Sequence, residues 1–205
     1  MFGTDLQLGV FWWLGFPLMW PPRLIWPSCV ARHLMIRHPF YLVLFNIAKK
    51  NNLGNLIRTA NAFGAKEILI VGKKRFHEFG SFGTSKASKK RHFYSLEEAV
   101  VFLREQNCTI YGVEILPQAT AVDETVFDSP SAFMMGNEGD GLSETQIQAC
   151  DRFVYIRQFG TGGSMNVNVA AGIVLHRFTT EMGYLENSRV SGQFNPSIKT
   201  INNQQ

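Results

Sequence analysis

Three stretches of this sequence combine small and polar residues in a way that could bind a ligand. They are residues 52–64, 133–143 and 164–171. Each places glycine, asparagine or serine after a strand-like apolar run and then continues into a helix-like segment. Parallel sheets bind ligands in the crevice beyond the carboxyl ends of their strands. The three stretches therefore predict one composite site at such an edge.

The sequence lacks the common nucleotide-binding and hydrolytic motifs. Gly136, Gly139 and Gly141 do not have the spacing of a dinucleotide-binding loop, and they follow a late strand instead of the first one. There is no P-loop, no serine-hydrolase elbow and no HExxH zinc motif. On their own, the glycines could also serve only to form tight turns.

Apolar runs and helical periodicity alternate along the chain. We predict strands at residues 41–45, 67–71, 109–114, 132–135 and 153–156. We predict helices from Asn52 or Asn55 to Gly64, from Ser95 to Gln106, from Ser143 onward, and from Asn166 to Met182. A basic loop is expected at residues 73–92 and a short helical turn at 123–127. The alternation indicates an α/β fold, in which a mainly parallel sheet has helices on both faces.

We expect the folded domain at residues 40–184, a leader at 1–39 and a polar tail at 185–205. The apolar part of the leader, residues 8–20, is shorter than the ~20 residues that span a bilayer, and it lacks the basic start of a secretory signal. We therefore expect a protein that is neither secreted nor membrane-bound, located in the cytoplasm or in an organelle. The leader would be either disordered or a targeting segment.

The charge and cysteine content narrow the choice of partners. The formal net charge is +4, which permits a polyanionic partner. Cations and phenylalanines are interleaved between residues 73 and 93, although a solvated loop could have the same composition. The three cysteines are far apart in sequence, so they predict neither a disulfide framework nor a zinc site.

Taken together, the three polar stretches resemble the motifs of the SpoU/TrmH family of SPOUT RNA methyltransferases. The first motif, an Asn-x-Gly followed by an arginine, corresponds to residues 52–58. The second, Gly-Asn-Glu-Gly-x-Gly-Leu, corresponds to residues 136–142. The third, Ser-Leu-Asn-Val-x-x-Ala, corresponds to residues 164–170, with Met165 in place of the leucine. The resemblance covers about residues 40–182, which is nearly the whole expected domain.

The resemblance implies a fold and an activity that periodicity could not show. The fold would contain a carboxyl-terminal trefoil knot, with S-adenosyl-L-methionine bound as cofactor in that knot, and the chain would form a homodimer. The reaction would be methylation of a ribose 2′-hydroxyl in tRNA or rRNA, of which we favour tRNA, with no role on DNA. The alternative is a non-catalytic RNA-binding protein that retains the knot fold.

The resemblance also implies roles for individual residues. Arg58 would bind the phosphate of the target nucleotide, because a guanidinium donates two parallel hydrogen bonds; it is a poor base, because it keeps its proton. The full set of implied catalytic positions is Arg58, Glu138, Ser164 and Asn166. The implied cofactor contacts are Gly136, Asn137, Ile156, Met165 and Asn166. The expected RNA contacts are Asn52, Arg58, Lys86, Lys89, Lys90 and Arg91. Ser164 and Asn166 could equally act as helix caps.

One departure from the family pattern lies just before the third motif. The family usually has Ile-Pro-Met there, whereas Ile156 is followed in this chain by Arg157 and Gln158. The glycine-rich residues 160–163 come next. We therefore expect the cofactor pocket to differ from that of the family at this point.

Overall fold

A computed structural model describes residues 37–45, 47, 50–72, 88–137 and 139–186 of the chain, all within one compact unit. Almost the whole expected leader lies outside the described residues, as do Glu138, Lys86 with most of the basic loop, and nearly all of the polar tail. Among the described residues, no helix has both the length and the apolar character needed to cross a bilayer.

The described chain alternates strands and helices. The strands are β1 Phe40–Phe45, β2 Glu67–Val71, β3 Lys90–Phe93, β4 Thr109–Val113, β5 Thr120–Ala121, β6 Ser131–Met135 and β7 Arg152–Tyr155. The helices are α1 Lys50–Ala62, α2 Leu96–Glu105, α3 Glu144–Ala149 and α4 Val167–Glu181. The strands form a seven-stranded sheet in the order β3-β2-β1-β6-β4-β7-β5, and every neighbouring pair is parallel. The predicted α/β fold is confirmed, while its carboxyl-terminal knot stays a prediction.

Each face of the sheet is covered by two helices. Successive residues of β1 point to opposite faces, and residues 40–44 are all buried. Phe40, Leu42 and Leu44 belong to one apolar cluster, which also contains the buried residues of α1 and α4. Tyr41 and Val43 belong to a second cluster, which contains the buried residues of α2 and residues of α3. The continuous apolar sequence of β1 follows from burial on both sides.

The structure differs from the sequence prediction in three places. Residues 90–93 form edge strand β3, although we expected a loop through residue 92. Their side chains have no apolar alternation that would predict a strand. Backbone pairing with β2 holds them in the sheet. Helix α1 begins at Lys50, so Asn52 and Asn55 lie inside the helix and cannot be its caps. Strand β5 has only two residues and was not predicted.

The helix ends at Gly64 and Ser143 agree with the sequence prediction. Gly64 has a φ of +77°, its N–H donates to the Asn61 carbonyl at 3.1 Å, and the next N–H, of Ala65, donates to the Ala60 carbonyl at 2.9 Å. This pair of bonds is the Schellman motif, which favours glycine. Ser143 caps α3 in a reciprocal capping box with Gln146.

We predict that Gly64→Ala lowers the free energy of unfolding by about 1–2 kcal/mol, the cost of a side chain in the left-handed region. The added Cβ would make only an ordinary 3.7 Å contact with Tyr184, so the backbone alone is strained. Gly172→Ala is the matched control, because Gly172 lies inside α4 and its Cβ would lie 4.0 Å from Thr59. The control should be neutral or stabilising by about 0.5–1 kcal/mol. Urea unfolding of both variants measures these changes in the free energy of unfolding. Equal changes in the two variants would contradict the special role of the left-handed conformation at Gly64.

Candidate active site

The parallel strands bring the second and third polar stretches to one edge of the sheet. The loop after β6 comprises residues 136–142, and the segment after β7 runs from Ile156 to Asn166. Because β6 and β7 both flank β4, these two loops lie on either side of the residues that follow β4. Two of the three stretches of the predicted composite site therefore meet at the carboxyl ends of β4, β6 and β7.

A cleft of about 390 Å³ lies between these loops. Of the predicted site residues, Gly136, Asn137, Ile156, Ser164 and Met165 line it, whereas Asn166, Asn52 and Arg58 do not. Its walls also include Val113, Glu114, Ile115, Leu116, Met135, Leu142, Tyr155, Gln158, Val167 and Ala170. Apolar side chains and loop backbone thus surround the cleft, and its volume lies within the usual range for small-ligand pockets.

The loop at residues 136–142 is folded tightly on itself. The Asn137 N–H donates to the Gly141 carbonyl at 2.8 Å, and the Gly141 N–H returns to the Asn137 carbonyl at 3.0 Å. Within this turn, the Asn137 side-chain oxygen accepts the Gly139 N–H at 2.8 Å. A Cβ on Gly136 would lie 2.7 Å from the Gly141 carbonyl carbon, so only glycine permits this approach. The side chain and backbone of Asn137 therefore brace this turn.

Two further side chains hold this loop, and sequence reasoning assigned a role to neither. The Gln146 side chain is buried and donates to the Met135 carbonyl at 3.4 Å, which ties α3 to the end of β6. The Glu114 carboxylate accepts the Leu142 N–H at 3.1 Å and the Ile115 N–H at 2.9 Å. The serine-to-glutamine capping box was a visible signal for Gln146. For Glu114 the only signal was its position at the end of a predicted strand.

The first and third motifs meet through their asparagines. Asn166 caps α4, accepting the Asn168 N–H at 2.9 Å, and its side-chain amide donates to the buried Asn52 at 3.4 Å. Two residues further along α4, Asn168 accepts a hydrogen bond from the Thr59 hydroxyl of α1 at 2.8 Å. Asn166 therefore acts as a helix cap and joins α1 to α4 beside the cleft. Asn52 is enclosed by the chain itself, which leaves it little surface for RNA.

Arg58 lies on the exposed side of α1. It is six residues after Asn52, which corresponds to about 9 Å along a helix axis and two-thirds of a turn around it. The buried residues of α1, Leu53, Leu56, Ile57 and Ala60, define the opposite side of the helix. Arg58 is thus exposed at the surface of α1 and lies outside the cleft.

The departure at Arg157 has a structural explanation. The Arg157 guanidinium forms ion pairs with Asp123 and Glu124, in the turn that follows β5. This contact fixes the segment after β7 on one side, while Ile156 and Gln158 line the cleft. Gln158 thus contributes a polar side chain to the cleft wall, and the expected difference from the family's cofactor pocket stays a prediction.

The described part of the basic segment lies toward the other end of the sheet. Arg91 forms a bidentate ion pair with Glu67, with distances of 2.7 and 3.1 Å, and its guanidinium packs over Phe102 at 4.4 Å. Hydrogen bonding from Arg91 is the main reason why the pKa of Glu67 is lowered. Lys89 and Lys90 lie at the amino end of β3, whereas the cleft lies at the carboxyl ends. Arg91 is therefore engaged within the chain.

Two of the three cysteines, Cys108 and Cys150, lie in the described part of the chain. Burial raises the pKa of Cys108 to about 11 and that of Cys150 to about 12, so neither forms a reactive thiolate near neutral pH. No cluster of histidine, cysteine and acidic residues able to hold a metal ion occurs in the described part of the chain.

Solved structures share this fold. The S-adenosylmethionine-bound rRNA methyltransferase from Sinorhizobium meliloti aligns with a TM-score of 0.66 at 23% identity, over 76% of this chain and 60% of that one. The TrmH/SpoU tRNA modifying enzyme of A. aeolicus aligns with a TM-score of 0.62 at 20% identity, over 74% of this chain and 80% of that one. At these identities the likeness establishes the fold, an α/β fold of the SpoU methyltransferase class.

The sequence establishes the family. The SpoU rRNA Methylase family profile matches residues 39–176, and the chain belongs to this family. The 23S rRNA (guanosine-2′-O-)-methyltransferase RlmB of Neisseria meningitidis serogroup B is 31% identical over 157 residues, covering 74% of this chain and 62% of that protein. The tRNA (guanosine(18)-2′-O)-methyltransferase of Thermus thermophilus is 33% identical over 144 residues, covering 68% and 74%. An uncharacterized tRNA/rRNA methyltransferase of Synechocystis is 29% identical, and the matched region spans 39% of its length. The predicted family resemblance is confirmed.

We predict that Gly136→Ala opens the loop at residues 136–142, because the added methyl group would meet backbone that has no rotamer to change. The expected cost is about 2–3 kcal/mol of unfolding free energy, typical of overpacking. Gly139→Ala is the matched control, since its Cβ would make an ordinary 3.5 Å contact with the Asn137 side chain. Urea unfolding, with hydrogen exchange of the Gly141 amide, measures both effects. Similar behaviour of the two variants would show that the close approach at Gly136 does not hold the loop.

Proposed function

We propose that the chain is an S-adenosyl-L-methionine-dependent RNA methyltransferase that modifies a ribose 2′-hydroxyl. The observation that carries the proposal is the cleft, since two of the three family motifs form its walls and the first motif packs beside it through Asn52 and Asn166. Two relatives above 30% identity are named as guanosine 2′-O-methyltransferases, one of 23S rRNA and one of tRNA. We favour tRNA as the substrate and guanosine as the first nucleoside to examine.

The residues of the cleft suit this cofactor. An adenine ring needs apolar contact on both faces and backbone partners at its edge, and the cleft offers Leu142, Ile156 and Met165 beside two loops. When bound, the cofactor supplies a methyl group made electrophilic by a positively charged sulfur. The tightly bonded turn at Gly136 holds one wall in place before any ligand arrives, which lowers the cost of ordering the site. Ser164 and Asn137 add polar groups to the cleft. Glu138 keeps the catalytic role that the family resemblance implies.

Arg58 acts in this proposal on the RNA. An exposed guanidinium on a rigid helix can grip a phosphate with two hydrogen bonds and so position the target ribose at the mouth of the cleft. The proton acceptor is a separate group. Further contacts to the RNA phosphates would come from Lys86, Lys89 and Lys90. Because such contacts release counterions from the RNA, its affinity should fall as the salt concentration rises.

We further propose a homodimer, as the family resemblance implies. Val169 and Ile173 are exposed on α4, where residues four apart lie on one face. An apolar pair on this helix, on the same side of the sheet as α1, suits a two-fold contact between copies.

A location where RNA and the cofactor occur together, the cytoplasm or an organelle, follows from the proposed function.

Transfer of labelled methyl groups to small and ribosomal RNA, followed by nucleoside mass spectrometry, tests the proposal. We expect a 2′-O-methylnucleoside whose base identifies the target. A methylated base would place the enzyme in another branch of the superfamily. RNA binding without transfer, combined with no binding of S-adenosylhomocysteine, would instead support the non-catalytic alternative.

We predict that Arg58→Ala lowers kcat/KM for RNA by about 100-fold, as expected for the loss of a charged group that positions the substrate. Its affinity for S-adenosylhomocysteine should change less than about 2-fold, because Arg58 does not line the cleft. Arg58→Lys keeps the charge without the planar fork and should recover only part of the activity.

Arg152→Ala is the control for this experiment. Arg152 is an exposed cation at the amino end of β7, with a long 3.9 Å ion pair to Asp128. The Arg152→Ala substitution should leave both kcat/KM for RNA and the affinity for S-adenosylhomocysteine near the wild-type values. Full activity of Arg58→Ala would remove Arg58 from the mechanism.

A further inference from the structure

Glu114 is a carboxylate in the wall of the cleft whose position the family motifs do not cover. It directly follows β4, and its own N–H donates to the Val154 carbonyl at 3.1 Å, so its backbone continues the pairing of β4 with β7. Its side chain therefore starts from a rigid point at the carboxyl edge of the sheet. It lies between the two loops that carry the second and third motifs.

The contacts of the carboxylate use only part of its bonding capacity. One oxygen accepts the Ile115 N–H at 2.9 Å and the other accepts the Leu142 N–H at 3.1 Å. A carboxylate offers about four acceptor sites on its two oxygens. Gly141, with a φ of +69°, has no side chain to displace the carboxylate, and any Cβ there would collide with it. Two backbone bonds thus fix the direction of the group and leave acceptor sites for a ligand in the cleft.

The charge itself needs an explanation beyond support of the loop. A neutral serine or glutamine could accept the Leu142 N–H without the cost of holding a carboxylate in a partly buried wall. In dinucleotide-binding folds, an acidic side chain beyond a parallel strand accepts hydrogen bonds from ribose hydroxyls. A vicinal diol offers two donors, which match the two oxygens of one carboxylate.

We propose that Glu114 binds the ribose hydroxyls of the adenosyl group in the cleft. This inference rests on the proposed function, because it assumes that an adenosyl ligand occupies the site. It adds a binding residue from the end of β4 to the two loops that the motifs identify. The carboxylate also occupies the space where a side chain on Gly141 would be, which adds to the preference for glycine that the positive φ already creates.

The test is a calorimetric cycle with two ligands, S-adenosylhomocysteine and its 2′,3′-dideoxy analogue, on the full chain. We expect Glu114→Gln to weaken binding of S-adenosylhomocysteine by about 10- to 100-fold, the usual effect of losing hydrogen bonds to a charged group. The wild-type protein should bind the dideoxy analogue more weakly by a similar factor. Glu114→Gln should not weaken binding of the dideoxy analogue further, because this analogue lacks the hydroxyls that the carboxylate would bind.

Each other outcome would overturn the inference. Equal weakening of both ligands by Glu114→Gln would show that Glu114 only supports the loop, and no weakening would show that it does not contact the ribose. A wild-type protein that binds neither ligand would refute the proposed cofactor itself. Glu97→Gln, which removes an exposed carboxylate from α2, is the control and should bind both ligands as the wild type does. Glutamine keeps an acceptor oxygen for the Leu142 N–H, and a thermal melt verifies that the variant is folded.

Discussion

The common direction of all seven strands is the constraint on which the site depends. Parallel neighbours cannot be joined by tight hairpins, so the chain must return across a face of the sheet after each strand. The returning helices bury both faces, and the loops that leave the strands collect at one edge. Segments far apart in sequence, after β4, β6 and β7, thereby enclose one cleft. Only side chains at that edge can contribute to it, which is why Lys89, Lys90 and Arg91 lie apart from it.

The cleft walls are held by polar bonds between the loops and their supporting elements. Glu114 holds the loop at residues 136–142 from the side of β4, and Gln146 holds the end of β6 from α3. On the other side, Asn166 and Asn52 connect the starts of α4 and α1. These bonds are modest one by one, about 0.5–1.5 kcal/mol each. Their effect is geometric, because each fixes the direction of a backbone segment whose groups face the cleft.

The sequence predicted the elements whose pattern is local. Strands β1, β2 and β6 are continuous apolar runs, because both of their faces are buried, and Gly64 and Ser143 carry the chemistry of helix ends. Strand β3 could not be predicted, since its polar side chains at the edge of the sheet have no apolar alternation. The start of α1 was placed too late, because asparagine favours helix caps and Asn52 has instead a buried partner in Asn166, a contact between residues 114 positions apart.

The same distinction applies to the site. Five residues that the family resemblance implied lie around one cleft, although their individual roles stay predictions; they are Gly136, Asn137, Ile156, Ser164 and Met165. Glu114 and Gln146 were given no role, because their importance comes from the backbone groups that they reach in the folded chain. Arg58 shows the converse: the motif identified the residue, but its position outside the cleft depends on the packing of α1.

The two walls of the cleft differ in how firmly they are held, and this difference follows from the departure at Arg157. A proline at this position in the usual family pattern restricts the backbone directly. Arg157 instead holds it through ion pairs with Asp123 and Glu124, and exposed pairs contribute about 0–1 kcal/mol. The next residues include Gly160, Gly162 and Gly163, which have no neighbours within 4 Å of a Cβ position. The wall after β7 is therefore held by weaker contacts than the wall at Gly136, which backbone hydrogen bonds between Asn137 and Gly141 close.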